Sequence, residues 1–173
     1  ILFADAEHVA LAGSPPGATT FADEMAYGTS LVSDFSDTNL THIDRAKNAG
    51  VKIIQYHGTH DPLIMFRKDP AYYREVATYF GGGVADYAGL QTWFRFYLEP
   101  GNGHVASPYL PDMIAWVENG VAPDRLTRTT NGLRLACPYP QYAQYTGPAG
   151  GSTTDPANFT CGGNLESNVT ALC

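Results

Sequence analysis

Residues 51–58 read Val-Lys-Ile-Ile-Gln-Tyr-His-Gly, a short run rich in β-branched and aromatic residues that ends at a glycine. This composition predicts a mostly buried strand over 51–57. Residues 92–98, Thr-Trp-Phe-Arg-Phe-Tyr-Leu, have a similar character and are followed by the turn-forming pair Pro100-Gly101. They predict a second strand, and the two strands together decide the fold class.

Helical patterns flank the two strands. Apolar residues recur at helical spacing over 40–49 and Gly50 follows them, which predicts a helix of about ten residues. Asp69 and the proline after it predict the N-cap and first turn of a helix that runs to residue 80. Residues 111–118 predict a third helix. This alternation of helices and strands is typical of a parallel sheet covered on both faces, so the predicted class is α/β.

The two strands are too few to form a complete sheet, because an isolated pair leaves its edges and an apolar face bare. We therefore expect a preceding or separate segment to complete the parallel sheet. Residues 1–36 predict a connecting segment with little regular structure, and residues 37–125 predict the α/β core of this chain. Residues 126–173 are rich in Gly, Pro, Thr, Asn and Cys and predict a disulfide-stapled surface tail.

The charge balance and the chain's start exclude several classes of protein. The 173 residues include 10 Lys plus Arg and 17 Asp plus Glu, a formal net charge of −7, so a phosphate backbone would be repelled and nucleic acid is not an expected partner. No run of about 18 apolar residues occurs, so no membrane association is expected. Residues 1–8 lack the features of a signal peptide, and we interpret the start without Met as processed or trimmed.

The three cysteines, Cys137, Cys161 and Cys173, all lie in the last quarter of the chain. Their position suggests that they staple the tail, and we expect Cys137 to bond Cys161 across about 24 residues. The odd count leaves either a free thiol or a bond to another polypeptide, and the terminal position of Cys173 favours the second.

Three sequons begin at Asn39, Asn158 and Asn168 and contain no proline. Each is a candidate glycosylation site, and two of them flank the cysteine-rich tail. Together with the cysteines and a low lysine content, they predict a secreted protein, because disulfides persist in oxidising compartments.

Polar side chains follow both predicted strands. The first strand leads into His57-Gly-Thr-His-Asp61, and the second leads into a loop that ends at His104. In open parallel sheets, sites form beyond the carboxyl ends of the strands, so Asp61 and His104 can meet there. An acid followed by a histidine near the C-terminus is the order in which an α/β-hydrolase completes its Ser-acid-His triad. The chain contains no Gly-x-Ser-x-Gly, so the nucleophile is expected elsewhere.

Two alternatives compete with this interpretation. His57, His60 and Asp61 could form a metal cluster, but imidazole ligands three residues apart need helical geometry or a designed turn, and a strand ends here. The chain could instead be a secreted, non-catalytic binding module in which the same Asp and His only cap strands. A partner segment carrying a nucleophilic serine on a sharp turn would exclude the binding module.

At these loops the sequence resembles the tannase and feruloyl esterase family. The acid loop of the family, His-Gly-x-x-Asp-x-x-Ile, is matched at 57–64, its Tyr-Tyr at 72–73, and its Pro-Gly-x-Gly-His at 100–104. The tail resembles the fungal members, with Cys-Pro-Tyr-Pro-Gln at 137–141 and Phe-Thr-Cys at 159–161. The resemblance rests on an ordered set of motifs rather than on any single one.

The resemblance implies the C-terminal part of an α/β-hydrolase fold, in which Asp61 is the triad acid and His104 the base. It implies a carboxylic ester hydrolase for phenolic acid esters, either feruloyl and related cinnamoyl esters or galloyl esters. The serine, the oxyanion hole and a lid with a calcium site are then expected upstream, and this chain itself is expected to bind no cofactor. Cys173 is a candidate for a disulfide to that upstream segment.

The chain departs from the family pattern at Val105. The family usually has a cysteine directly after the catalytic histidine, bonded to a cysteine directly before the serine. Val105 therefore implies either that this member holds its triad by packing or that the residue was introduced. The residue before the nucleophile is accordingly not expected to be a bonded cysteine.

Overall fold

The computed structural model describes residues 20, 22–23, 26–27, 40–105, 108–128 and 134–167. The chain divides into two units, Ile1–Leu40 and Thr41–Cys173. In the first unit, the amide of Thr20 donates to the Asp23 carboxylate over 3.0 Å, and the amide of Asp23 donates to Thr20 Oγ1 over 3.2 Å. Such reciprocal bonds cap the start of a helix. Most of the predicted connecting segment lies outside the described residues.

The second unit is built on a parallel pair of strands, β1 (Ile53–Gly58) and β2 (Phe94–Glu99). Their register runs from Ile53 opposite Phe94 to Gly58 opposite Glu99, so the two carboxyl ends lie side by side. Both predicted strands are confirmed, and each begins two residues later and ends one residue later than expected.

Four helices accompany the strands in this described part of the second unit. They are α1 (Asp44–Asn48), α2 (Lys68–Phe80), α3 (Tyr87–Leu90) and α4 (Leu110–Asn119). The three predicted helices are present, and α3, which the carboxylate of Asp86 caps by accepting from the Gly89 amide at 2.9 Å, was not predicted.

Two helix starts differ from the sequence interpretation. Helix α1 has five residues rather than about ten, because the chain enters it at Ile43, whose backbone is not helical. The prediction that Asp69 is an N-cap is wrong, since Arg67 occupies that position and Asp69 lies in the first turn. The Asp69 carboxylate contacts Gln55 and His57 on β1 instead.

The main core lies between α2 and β2 and is centred on Tyr73. The Tyr73 ring is fully buried, meets Phe94 edge-on with ring centroids 5.0 Å apart, and donates its hydroxyl to the Phe94 carbonyl over 2.8 Å. Burying a ring of this size is favourable only when its hydroxyl keeps a partner, and the backbone of β2 provides one. The other buried members of this cluster are Val76, Ala77, Leu90, Trp93, Phe96, Leu98, Tyr139 and Leu165.

The C-terminal part forms two small antiparallel pairs. Strand β3 (Leu126–Arg128) pairs with β4 (Arg134–Ala136), and β5 (Tyr142–Tyr145) pairs with β6 (Phe159–Gly162). This region was predicted as a loop-rich tail, and the hairpins were missed because their strands are only three or four residues long.

The C-terminal part is also more than a surface tail, which corrects the sequence interpretation. Tyr139 and Leu165 are buried in the main core. The amide of Tyr139 donates to the Phe96 carbonyl over 2.8 Å, and Pro138 forms an antiparallel bridge with Tyr97. The segment therefore covers backbone groups along the side of β2 that does not face β1, which would otherwise be an open sheet edge.

A disulfide joins Cys137 to Cys161, with their Cα atoms 5.5 Å apart, and so ties the segment after β4 to β6. This is the pair expected from the sequence. Cys173 lies outside the described residues. Over the ranges that the structure describes, none of the helices combines the length and hydrophobicity that crossing a bilayer requires.

We expect the double variant Cys137→Ser/Cys161→Ser to lower the free energy of unfolding by about 3 kcal/mol. The disulfide joins residues 24 positions apart, and the loop that it closes lowers the entropy of the unfolded chain. Denaturant unfolding monitored by circular dichroism measures the change. A double variant as stable as the wild type, or peptide mapping that finds either thiol free in the wild type, would contradict this prediction.

Candidate active site

The loops that follow β1 and β2 are bonded to each other beyond the ends of the strands. The amide of Thr59 donates to the Glu99 carbonyl over 3.0 Å, and the amide of His60 donates to the Asn102 carbonyl over 2.8 Å. The amide of Gly101 donates to the Thr59 hydroxyl over 3.0 Å. These bonds continue the parallel pairing and fix the two loops against each other.

Gly58 lies where the two loops approach most closely. A Cβ atom at this position would lie 2.3 Å from the carbonyl oxygen of Asn102 and 2.7 Å from that of Gly103. Both are backbone atoms, so they cannot move aside as a flexible side chain would. Only glycine allows the contact, which explains why a glycine ends β1.

We expect Gly58→Ala to lower the free energy of unfolding by roughly 1–3 kcal/mol, because overpacking forces the backbone to shift. Gly103→Ala is the matched control, since a Cβ there has its nearest neighbour, the His60 carbonyl oxygen, at 3.9 Å. Chemical denaturation of both variants measures the difference. Equal stability of Gly58→Ala and Gly103→Ala would show that the loops do not meet as described.

Asp61 and His104 meet between these loops. His104 Nδ1 lies 2.8 Å from Asp61 Oδ2, and the other carboxylate oxygen accepts from the amides of Leu63 at 2.8 Å and Ile64 at 3.0 Å. The Asp61 side chain is 5% exposed and the His104 side chain 49% exposed. The acid is thus buried and held by the backbone, and the imidazole that it orients is accessible.

The surroundings of Asp61 favour its ionised form. Burial raises the pKa of the carboxyl group, but hydrogen bonds from the amides of Ile64 and Leu63 and the contact with His104 outweigh burial and lower the pKa to about 2. Asp61 is therefore a carboxylate at neutral pH. An ionised acceptor on Nδ1 keeps the proton there and leaves Nε2 of a neutral His104 unprotonated.

His57 lies on the far side of the same carboxylate. Its Nε2 is 3.1 Å from the Ile64 carbonyl oxygen and 3.3 Å from Asp61 Oδ2, and its Nδ1 contacts the Asp69 carboxylate. From the sequence, His57 was singled out only as part of the acid-loop motif and as a member of the hypothetical metal cluster. Its partner Asp69 was missed because the two residues are on different elements, and no sequence spacing links them.

His60, which the metal hypothesis needed, is separate from this group. Its side chain is exposed, and its Nδ1 lies 3.2 Å from the Thr59 hydroxyl. Among the side chains that the structure describes, no group of three or more His, Cys, Asp or Glu residues could hold a metal ion. The geometry therefore gives the metal hypothesis no support.

Glu99 is a further residue of the site that sequence reasoning missed. Its side chain is 1% exposed, and its carboxylate accepts from the side-chain amide of Asn102 and from the hydroxyl of Tyr109. It therefore anchors the beginning of the loop that presents His104. The available signal was a carboxylate at the last position of a strand rich in aromatic residues, because a buried charge needs partners that hydrogen-bond or neutralise it.

The sequence also drew attention to Val105 and to the asparagines of the three sequons. Val105, directly after His104, is 49% exposed. Asn158 lies in a 3₁₀ turn before β6, and its Nδ2, the atom that would carry a glycan, donates to the Ser152 carbonyl over 2.9 Å. Glycosylation would replace one of the two hydrogens on Nδ2 and leave one N–H that can keep this bond. Asn39 and Asn168 lie outside the described residues.

The chain is similar to known proteins both in sequence and in structure. The sequence profile of the family described as "Tannase and feruloyl esterase" matches residues 10–162. Feruloyl esterase B of Aspergillus niger is 31% identical over 153 residues, which are 72% of this chain and 28% of that protein. Tannase of Aspergillus oryzae is 29% identical over 147 residues, which are 74% of this chain and 25% of that protein.

Solved structures give the same grouping. Feruloyl esterase B from Aspergillus oryzae superposes with a TM-score of 0.65 and 26% identity over 82% of this chain and 32% of that one. Tannin acyl hydrolase from Aspergillus niger superposes with a TM-score of 0.70 and 22% identity, and supports the fold. The structural neighbours agree with the α/β class, and the chain spans from 25% to 34% of the length of these relatives. This chain belongs to the tannase and feruloyl esterase family.

Proposed function

We propose that this chain supplies the acid and the base of a serine carboxylic ester hydrolase that acts on phenolic acid esters. The observation that carries the proposal is the 2.8 Å contact between His104 Nδ1 and Asp61 Oδ2 at the carboxyl ends of adjacent parallel strands. Sites form at this edge of a parallel sheet. Family membership supports ester hydrolysis as the reaction.

In the proposed mechanism, His104 Nε2 takes the proton of a serine hydroxyl as the serine oxygen attacks the ester carbonyl. The tetrahedral intermediate then collapses and expels the alcohol, which takes the proton from His104. The serine remains esterified by the acyl group as an acyl-enzyme. Water then attacks the acyl group, and His104 again accepts a proton and returns it to the serine oxygen. Asp61 stays ionised throughout and stabilises the imidazolium form of His104.

The serine is proposed to lie in a polypeptide segment outside this chain, since the sequence contains no Gly-x-Ser-x-Gly. The same segment would complete the sheet beside β1, which pairs only with β2 among the described strands. The greater length of the relatives supports such a segment. We call this chain together with that segment the complete enzyme.

The calcium site implied by the family resemblance is also proposed for that segment. The proposal is supported by the described residues of this chain, in which no three His, Cys, Asp or Glu side chains form a group that could hold a metal. No step of the proposed mechanism passes through the ion.

Secretion is proposed from the disulfide and the sequons. A disulfide such as Cys137–Cys161 is stable in an oxidising compartment, where N-glycosylation signals are also used. Cys173 is proposed to bond the segment that carries the serine, because the other two cysteines are paired with each other.

The proposed substrates are esters of aromatic carboxylic acids. Relatives bear the names feruloyl esterase B, tannase and mono(2-hydroxyethyl) terephthalate hydrolase, and the last, from Piscinibacter sakaiensis, is 29% identical over 144 residues. Each of these names implies an aromatic acyl group. We propose a feruloyl, cinnamoyl or galloyl group for this protein.

The test is to purify the complete enzyme and to measure hydrolysis of methyl ferulate and methyl gallate, with methyl butyrate as a non-aromatic control. A fluorophosphonate that labels reactive serines should stop the reaction and add its mass to a serine outside this chain. A folded complete enzyme that binds these esters without hydrolysing them would favour the binding-module alternative. A label on a residue of this chain would contradict the proposed division of the triad.

A further inference from the structure

The triad acid has a second imidazole partner that the proposed mechanism does not use. We propose that His57 is doubly protonated and acts as a positioning residue, so that the pair Asp61–His104 is the end of a four-residue chain, Asp69–His57–Asp61–His104. This inference rests on the proposed function and adds a residue to its machinery.

The protonation state follows from the partners of the two ring nitrogens. Nδ1 faces the Asp69 carboxylate, and Nε2 faces the Ile64 carbonyl oxygen at 3.1 Å and Asp61 Oδ2 at 3.3 Å. All of these atoms are acceptors. A neutral imidazole would direct a lone pair at one of them, whereas the imidazolium form donates on both sides. The side chain of His57 is only 12% exposed, so water has little access to replace a missing partner.

Asp69 is positioned to balance that charge. One of its carboxylate oxygens accepts from Gln55 Nε2 over 2.9 Å, and the other contacts His57. It also lies in the first turn of α2, where the helix dipole favours an anion. The contacts with Gln55 and His57 explain why the Asp69 side chain faces β1 instead of capping its own helix. The titratable groups that the structure places against His57 are Asp69 on α2 and Asp61 on the loop after β1.

The consequence for catalysis is a fixed triad acid. Asp61 Oδ2 faces His57 and His104 together, and Oδ1 is held by two backbone amides. The carboxylate therefore keeps its orientation while His104 gains and loses a proton. Because the proposed mechanism gives His57 no contact with the serine or the substrate, its removal should change kcat far more than KM.

The first experiment reads the protonation state directly. Nitrogen NMR of the wild-type complete enzyme labelled with ¹⁵N-histidine, with each ring signal assigned through its correlation to the backbone of the same residue, should show both ring nitrogens of His57 protonated at neutral pH. A His57 signal with one unprotonated ring nitrogen would overturn the inference. This readout needs no ester hydrolysis, so it decides the matter even where a variant fails to fold.

The second experiment uses kinetics and a rescue. His57→Gln should lower kcat on the order of 10- to 100-fold with KM changed by less than about twofold, as when an outer partner of an active-site group is lost. The introduced amide can donate to Asp61 but turns its oxygen towards Asp69. Adding Asp69→Asn supplies a donor for that oxygen, so the double variant should recover at least about fivefold in kcat over His57→Gln. Losses that simply add would indicate a packing role and contradict the inference.

His42→Gln is the matched control, because His42 stacks on Tyr79 with ring centroids 4.1 Å apart, away from the acid and base. It should leave kcat and KM unchanged.

If His104→Ala abolishes turnover while His57→Gln turns over normally, the inference fails and the proposed function stands. If the wild-type enzyme hydrolyses no ester, the proposed function fails, and the NMR result alone judges the state of His57.

Discussion

Replacing His104 with alanine in the complete enzyme is expected to lower kcat for a feruloyl or galloyl ester by about four to six orders of magnitude, with little change in KM. The variant loses the group that accepts the serine proton and later protonates the leaving alcohol. It keeps the ester-binding surfaces, which the proposed function assigns largely to the rest of the enzyme. Steady-state kinetics with methyl ferulate and methyl gallate measure the effect.

The control for this loss is His60→Ala. The His60 side chain is exposed, and its Nδ1 lies 3.2 Å from the Thr59 hydroxyl rather than at the acid. We expect less than about a tenfold change in kcat from its removal, as for a residue outside the reacting group. Near-normal turnover by a correctly folded His104→Ala enzyme would contradict the mechanism. A severe loss from His60→Ala that a chelator reproduces in the wild type would revive the metal hypothesis.

The two strands and the contact between Asp61 and His104 could both be predicted from the sequence. Apolar runs mark buried strands, and the carboxyl ends of adjacent parallel strands lie at the same edge of a sheet. Once residues 53–58 and 94–99 pair in parallel, the loops after them must be neighbours. No knowledge of side-chain packing was needed for that step.

The missed features depend on contacts between elements that are distant in sequence. Tyr139 is buried against β2 although its own surroundings are rich in proline and turn-forming residues. Asp69 looked like an N-cap because local rules favour an aspartate before a proline. Gln55 and His57 on a neighbouring strand bind it instead. Tertiary contacts of this kind leave no periodic signal in the chain.

The bonds between the loops also bear on Val105. The family resemblance implies a disulfide beside the triad, and valine cannot form one. The Thr59–Glu99 and His60–Asn102 bonds, with the buried anchor of Glu99, hold the loops of Asp61 and His104 together. The disulfide of the family pattern would make a different connection, from the His104 loop to the segment of the serine. A triad held by packing stays a prediction, beside the alternative that Val105 was introduced.

Asp61→Asn is expected to lower kcat by about three to four orders of magnitude while the fold is retained. The amides of Leu63 and Ile64 donate to Oδ1, so they require the carbonyl oxygen of an asparagine at that position. Its NH₂ group must then face His104 Nδ1, which can only accept. The neutral imidazole would carry its proton on Nε2, where the serine proton has to arrive, and could not act as the base. Kinetics and ¹⁵N NMR of His104 measure the loss and the change of tautomer.

The pH dependence of the free energy of unfolding tests whether the Asp61 carboxylate is held in the fold as described, and so whether the kinetic loss in Asp61→Asn comes from this group rather than from misfolding. The pKa of Asp61 is lowered from 3.8 to about 2 in the folded protein, so its ionised form stabilises the fold above pH 3.8 and this contribution is lost as the pH falls from 3.8 towards 2. The free energy of unfolding of the wild type should therefore fall over this interval relative to that of Asp61→Asn, which has no carboxyl group at position 61 to titrate. Denaturation measured across the interval tests the difference. Parallel stability curves for the two proteins would show that the acid is not held as described, and an Asp61→Asn enzyme with wild-type kcat and an Nδ1-protonated His104 would contradict the role assigned to the carboxylate.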